Sequence, residues 1–161
     1  MAKSLKIRQV DWAHGDATLL RDAQQVEINT SGLRPRGPGI PASAANVTIF
    51  LVAYEGDEAI GCGGLRPLDS VGLPGHVEIK RMYVVPSHRA LGKDEPSVAL
   101  FVLKALEQVA RENGWMELKV ETSKAMLQAR RFYEKNGYGP CELFGAYVGN
   151  EHAVCYEKHL A

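Results

Sequence analysis

From residue 98 onward the apolar side chains Val98, Phe101, Val102, Ala105, Leu106 and Val109 recur every three or four positions, while Lys104, Glu107, Gln108, Arg111 and Glu112 fill the other side. This period predicts an amphipathic helix, and Asn113-Gly114 supplies residues that end one. The period then drops to two: Met116, Leu118 and Val120 alternate with Glu117, Lys119 and Glu121, the pattern of a strand. Upstream, residues 76–85 read as a long strand stopped by Pro86. A strand, helix, strand unit over residues 76–121 needs a crossover, and hence a parallel pair. Within the long strand Val77 and Ile79 share one face, whereas Met82 and Val84 fall on the opposite parity. A bulge near Lys80 or Arg81 would shift the pleat by one residue; cover on both faces would blur the alternation as well.

Residues 4–10 read as a short strand and 16–28 as a helix that ends near Asn29-Thr30-Ser31-Gly32. Residues 48–54 and 59–65, joined through Glu55-Gly56-Asp57-Glu58, form an expected antiparallel hairpin. A second helix is expected after Ser123 as its cap, turning Ala125, Ala129, Phe132 and Tyr133 inward until Asn136-Gly137. Residues 138–144 and 153–160 supply two last strands. The stretch 32–43, with three prolines, three glycines, Arg34 and Arg36, is a loop; a functional role and a plain surface connection are equally compatible with it.

A length of 161 residues and an apolar fraction of 45% predict one folded domain over residues 1–161 rather than a disordered chain. Basic and acidic residues number 19 each, so no net charge draws the protein towards nucleic acid or an anionic membrane, and neither is an expected partner. No apolar run is long enough to span a bilayer, and residues 1–10 lack a secretion signal, so a cytoplasmic location is expected. Cys62, Cys141 and Cys155 are odd in number and widely spaced, which points to reduced, buried thiols. His76, His88 and His152 are scattered, and no metal is expected. A monomer and a homodimer are both compatible.

Between the long strand and the helix lies Pro86-Ser87-His88-Arg89-Ala90-Leu91-Gly92-Lys93-Asp94-Glu95-Pro96-Ser97. A loop feeding a helix amino-terminus offers unpaired N–H groups and the positive end of the helix dipole, which favour a phosphate or pyrophosphate. Gly92 permits close backbone approach, and Arg89 and Lys93 add charge-assisted hydrogen bonds. Such turns are also commonly structural.

The run Glu78-Ile79-Lys80-Arg81-Met82-Tyr83-Val84-Val85-Pro86, followed by Arg89-x-x-Gly92 and by Arg131-Phe132-Tyr133-Glu134-Lys135-Asn136-Gly137-Tyr138, resembles the GNAT superfamily of N-acetyltransferases. The hairpin with Ile60-Gly61-Cys62-Gly63-Gly64 and the order of elements agree with it, so the resemblance covers residues 50–160. It implies an α/β (α+β) fold, a mixed and mostly antiparallel sheet flanked by helices, with central strands splayed to admit the pantetheine of acetyl-CoA. The backbone of Met82 and Val84, with Tyr83 between them, would pair with pantetheine as an added strand does. Arg89, Gly92, Lys93, Ser97 and Val98 would hold the pyrophosphate.

The family loop reads Q/R-x-x-G-x-G/A, and this chain departs from it. Read directly, Asp94 stands where Gly or Ala belongs; read back from the helix register, Ser97-Val98-Ala99 fills the G-x-G/A slot and the loop is about five residues longer. The second reading is preferred, because an acid at the pyrophosphate would repel it. Met126 stands where the family often has Asn.

The resemblance implies transfer of acetyl from acetyl-CoA to a primary amine of a small molecule or peptide by direct attack. An alkylammonium with a pKa of about 10.4 must first lose a proton. Glu78 stands at the family's acidic position and is the candidate base; the structural alternative pairs it with Lys80 or Arg81. Tyr133 stands at the family's acid position and would donate to the leaving thiolate; otherwise it is a core aromatic. Cys62 packs rather than carrying an acetyl intermediate. On the acceptor side Glu27, Arg34 and Tyr147, with Arg36 and Glu151, are candidates. Arginines suit a carboxylate-bearing acceptor and the glutamates a basic one. The alternative function is a non-catalytic module on the same fold that senses coenzyme A or binds a protein.

Overall fold

The computed structural model describes residues 4–33, 39–89 and 97–161. Seven strands make one sheet: β1 (Leu5–Gln9), β2 (Ile49–Glu55), β3 (Glu58–Pro67), β4 (His76–Val84), β5 (Glu117–Ser123), β6 (Gly139–Cys141) and β7 (Ala153–His159), in the order β1-β2-β3-β4-β5-β7-β6. Among them β4 and β5 alone run parallel, as the crossover requires. The described helices are α1 (Gly15–Ser31), α2 (Val98–Glu112) and α3 (Leu127–Lys135).

Both faces of the sheet are covered, which explains the unbroken apolar run of β2. Ile49, Leu51 and Ala53 pack in a core with Val102, Leu103, Leu106 and Ala110 of α2 and Tyr133 of α3. Phe50, Val52 and Tyr54 point the other way, against Ala17 and Leu20 of α1. Fully burying a side chain of this size is worth about 1.5–3 kcal/mol.

The parity shift in β4 is a bulge. Cys62 pairs with Tyr83 but Gly64 with Lys80, so Gly63 faces both Arg81 and Met82, and Arg81 takes a φ of 59°. After this extra residue Met82 and Val84 return to the α2 side, where Val77 and Ile79 already pack. A Cβ on Gly63 would come within 2.7 Å of Met82 Sδ and 2.9 Å of Leu106 Cδ1, so the bulge lies under α2 only because this position is glycine.

Three expectations are corrected. The helix expected after Ser123 starts at Leu127: Ser123 Oγ accepts from Ala125 N at 3.3 Å and makes a turn, which leaves Ala125 exposed. Residues 138–144 pair only at β6. Glu107, assigned by period to the polar side of its helix, is fully buried. It accepts from Tyr138 Oη at 2.8 Å, from Lys158 Nζ at 3.0 Å and from Lys104 Nζ at 3.3 Å. Burial pushes its pKa up, but these donors outweigh burial and hold the carboxyl below the usual range.

A folded-state pKa below the unfolded one stabilises the protein above the unfolded pKa, and that contribution is lost as pH falls through the folded value. Urea midpoints of the native chain should therefore fall on acidification below about pH 4.5 more steeply than those of Glu107→Gln. At neutral pH the variant should lose about 2 kcal/mol. Equal stability of the two proteins at pH 7 would remove this role.

Candidate functional site

The pairing of β4 with β5 ends early. His76, Val77 and Glu78 face Glu117, Leu118 and Lys119, and beyond Glu78 the strands part. β5 stays bound to β7 along its whole length, so β4 from Ile79 onward has no strand on that side. Between them opens a groove of about 940 Å³, walled by Ile79 to Val84 on one side and Val120 to Ser123 on the other. One stripe of α1, Gln24, Glu27, Ile28 and Ser31, completes a wall at i, i+3, i+4, i+7 spacing.

Glu78 lies where the strands separate. It is 1% exposed and is held by its cross-strand neighbour: Arg66 donates to Oε1 from Nε at 3.1 Å and from Nη2 at 2.8 Å. The Tyr147 hydroxyl donates to Oε2 at 2.7 Å, and Lys80 Nζ lies 3.7 Å from that oxygen. The expected structural partners were Lys80 and Arg81; Arg66 is the main one, fixed by register. Glu78 lines a small cavity of about 70 Å³ with Arg66, Ile40 and Tyr147, while Tyr147 and Lys80 also line the large groove. Tyr147 sits in a 3-10 turn, Gly145–Tyr147, edge-on to Phe144. Burial first, and then the Glu78 charge, push its pKa up, so the phenol keeps its proton.

The carbonyls expected to face pantetheine accept side-chain donors. Gln24 Nε2 donates to Met82 O at 2.9 Å and Arg89 Nε to Val84 O at 3.0 Å. Arg89 Nη2 also donates to Glu27 at 2.7 Å across the groove mouth, and its guanidinium lies 5.6 Å from the Tyr83 ring centre. That hydrogen bond is the largest cause lowering the Glu27 pKa and raising the Arg89 one. Ser97 Oγ caps α2 by accepting from Leu100 N at 3.2 Å, and Ser97 and Val98 line the groove. Arg34, Gly92 and Lys93, with Arg36, lie outside the described residues. Glu27 is thus brought to Arg89 rather than to Tyr147, and Glu151 is exposed and off the groove wall.

The sequence profile of the Acetyltransferase (GNAT) family matches residues 19–138, the stretch from α1 through β5 to Tyr138. The chain belongs to that family.

Among relatives of this GNAT chain is the uncharacterized N-acetyltransferase YsnE of Bacillus subtilis, 38% identical over 83% of this chain and 79% of its own. A Klebsiella pneumoniae structure provisionally named an acyl-CoA N-acyltransferase is 26% identical, covers 98% of each chain and superposes with a TM-score of 0.77. PaiA N-acetyltransferase of Thermoplasma acidophilum, solved with coenzyme A, shares the fold at 18% identity over 97% of this chain and 99% of its own, with a TM-score of 0.66.

In the GNAT chain Tyr133 reaches the groove wall from α3, its ring edge-on to Phe132 and Tyr138. Burial pushes its pKa up, and burial is the one cause. Gln24, Glu121, Gln128 and Asn150 also line the groove and were not singled out from sequence. The helical spacing of Gln24 with Glu27 and Ile28 was the available signal. Glu55, Glu58 and His88 bring ligand atoms within 4.8 Å of one another, but His88 Nε2 and Glu55 Oε1 are already paired at 3.2 Å. Among the described residues no helix is long and apolar enough to cross a membrane.

Burial pushes the Cys62 thiol up to about 12, and the side chain is fully covered. Iodoacetamide at pH 8 should leave Cys62 unmodified in the native protein and alkylate it in urea, as read by peptide mass spectrometry. Rapid native labelling would return Cys62 to the list of nucleophiles.

Proposed function

We infer that this GNAT chain transfers acetyl from acetyl-CoA to a primary amine of a small molecule or peptide, by direct attack of the amine on the thioester. One observation carries the reading. A single strand, β4, runs from a buried carboxylate at the fork, Glu78, to Val84, whose carbonyl is held by Arg89, and Arg89 lines the groove together with Ser97 at the start of α2. Six residues of strand span about 20 Å, which suits an extended arm with its reactive end inside and its phosphates outside.

Met82 and Val84 offer backbone partners to pantetheine, with Tyr83 between them. Arg89 and the α2 start, Ser97 and Val98, face the pyrophosphate, and Gly92 and Lys93 belong to the same loop by sequence. Glu78 is the base and Tyr133 the donor to the leaving sulfur. With its pKa raised, Tyr133 stays protonated and stabilises the thiolate by a hydrogen bond as the C–S bond breaks. Tyr147 faces the acceptor side, where Arg34 is a candidate by sequence, and these steps need no metal.

The reading is tested by thiol release from acetyl-CoA against amino acids, polyamines, aminoglycosides and peptides. With the best acceptor, Glu78→Gln should lower kcat/KM by about 100-fold or more and Tyr133→Phe by about tenfold or more. Unchanged turnover in both variants would remove these roles. The complete hold of Arg66 on Glu78 Oε1 favours a second reading, a non-catalytic module that senses coenzyme A or binds a protein. Acetyl-CoA binding without thiol release for any acceptor would select it.

Donor affinity gives a further test. The Glu27–Arg89 pair is more than two-fifths exposed on both sides, so it is worth at most about 1 kcal/mol, roughly a factor of five. Because an incoming phosphate competes with Glu27 for Arg89, Glu27→Gln should tighten acetyl-CoA binding by up to about fivefold in calorimetry. Arg89→Gln should weaken it. Weaker binding in both variants would mean that Glu27 supports the donor site instead of competing for it.

A further inference from the structure

Glu78 has no direct face on the groove. Its Oε1 is filled by two Arg66 donors, and its Oε2 lies behind the hydroxyl of Tyr147. An amine in the groove therefore meets the Tyr147 oxygen before it can meet the carboxylate. That oxygen accepts from Lys80 Nζ at 3.1 Å, so a primary ammonium already fits against it in the fold. The acceptor would present the same group.

On the acetyl-transfer reading above, we propose that Tyr147 is a catalytic residue, a hydroxyl relay that takes the acceptor's proton from the groove and passes its own to Glu78. The ammonium N–H bond breaks as a new O–H bond forms on Tyr147 Oη, and the original hydroxyl proton crosses 2.7 Å to Glu78 Oε2. The amine becomes neutral, Tyr147 ends as neutral as it began, and Glu78 becomes a carboxylic acid. The amine lone pair then attacks the thioester carbonyl; as the C–S bond breaks, the second proton on that nitrogen passes to the leaving sulfur, giving the amide and the thiol of coenzyme A. After the C–S bond breaks, Glu78 returns the proton to solvent through the same hydroxyl.

The surroundings suit a relay better than a free acid or base. Arg66 from β3 and Lys80 from β4 bring positive charge, Glu78 from β4 and Glu121 from β5 bring negative charge, and all four act on Tyr147. Glu78 and Glu121 disfavour a phenolate, while Lys80 disfavours a lingering ammonium beside it. The hydroxyl therefore starts and ends protonated. The turn at Gly145–Tyr147 and the edge-on Phe144 ring fix the oxygen between the two partners.

The test is the pH dependence of kcat/KM for Tyr147→Phe, with acetyl-CoA and the best amine from the thiol-release screen. Phenylalanine keeps the ring packing and removes only the relay oxygen; an unchanged acetyl-CoA affinity and a single cooperative melting transition establish that the variant folds. Without the relay the amine must arrive already neutral. The variant's kcat/KM should then rise about tenfold per pH unit from pH 6 to 9, towards the amine's own pKa, where the native enzyme is much flatter. At pH 7 the variant should be about 100-fold slower, and Glu78→Gln should add little to that loss because both act on one proton path.

A Tyr147→Phe enzyme that is slower at every pH with the native profile would overturn the relay and leave the ring as a prop for Glu78. Full native activity in the variant would overturn it outright while sparing Glu78 as base. If the native chain itself releases no thiol with any amine, the acetyl-transfer reading fails first and the relay with it.

Discussion

Every feature of the groove depends on the parting of β4 from β5 beyond Glu78. A buried strand edge leaves carbonyl and N–H groups that must find partners, at a cost of about 1–3 kcal/mol for each group left unpaired. Here Gln24 and Arg89 reach the carbonyls of Met82 and Val84. The chain thus tolerates an open edge in its central sheet by supplying side chains where a strand would normally run. The bulge at Arg81 belongs to the same unpaired stretch of β4, and Gly63 lets that segment sit against α2.

Two buried carboxylates show how one fold uses the same chemistry for different ends. Glu107 is enclosed by Tyr138, Lys158 and Lys104 and ties α2 to β7 and to the turn after α3. All its donors serve packing, and it lines no part of the groove. Glu78 is as deeply buried, and one of its oxygens is just as fully satisfied, by Arg66. Its other oxygen takes a donor that opens onto the groove. Taking a charge out of water is costly unless it is paired, so Arg66 is needed for Glu78 to exist at this depth in ionised form. That pairing does not by itself exclude chemistry; it limits the chemistry to the second oxygen.

Local pattern carried much of the fold. The change of period at Met116 marks the crossover, whereas the parity of Met82 and Val84 is compatible with a bulge and with cover on both faces, and the β3–β4 register decides for the bulge. Errors arose where tertiary context overrode local signals. Ser123 is a sound cap by composition, but its hydroxyl closes a turn two residues on, and the helix waits until Leu127. Glu107 follows the polar period and is nevertheless buried, because Lys158, 51 residues later, brings a compensating charge. The site was legible as a set of positions on β4, α2 and α3, not as a set of contacts. The pairing of Glu78 with Arg66 follows from the β3–β4 register, which the hairpin and bulge together determine and which no single segment reveals. Glu27 is an acceptor candidate by sequence, while its place on α1 brings it to Arg89.

The two tyrosines of the groove illustrate why contacts, rather than positions, separate roles. Both are buried, and in both burial raises the pKa, so neither ionises readily. Tyr133 has burial as its one cause of shift, and its hydroxyl is not committed to a carboxylate. Its proton can turn towards a developing negative charge on sulfur. Tyr147 has its proton already directed at Glu78 and its lone pairs directed at cations. It can release a proton only along that bond, and only as it gains another. A phenol without an acceptor is therefore suited to stabilise a leaving group, and a phenol held between an acceptor and an ammonium is suited to pass a proton through. On the proposed acetyl transfer, the placement of one on α3 and the other in the turn after β6 assigns opposite directions of proton flow to the two sides of the groove.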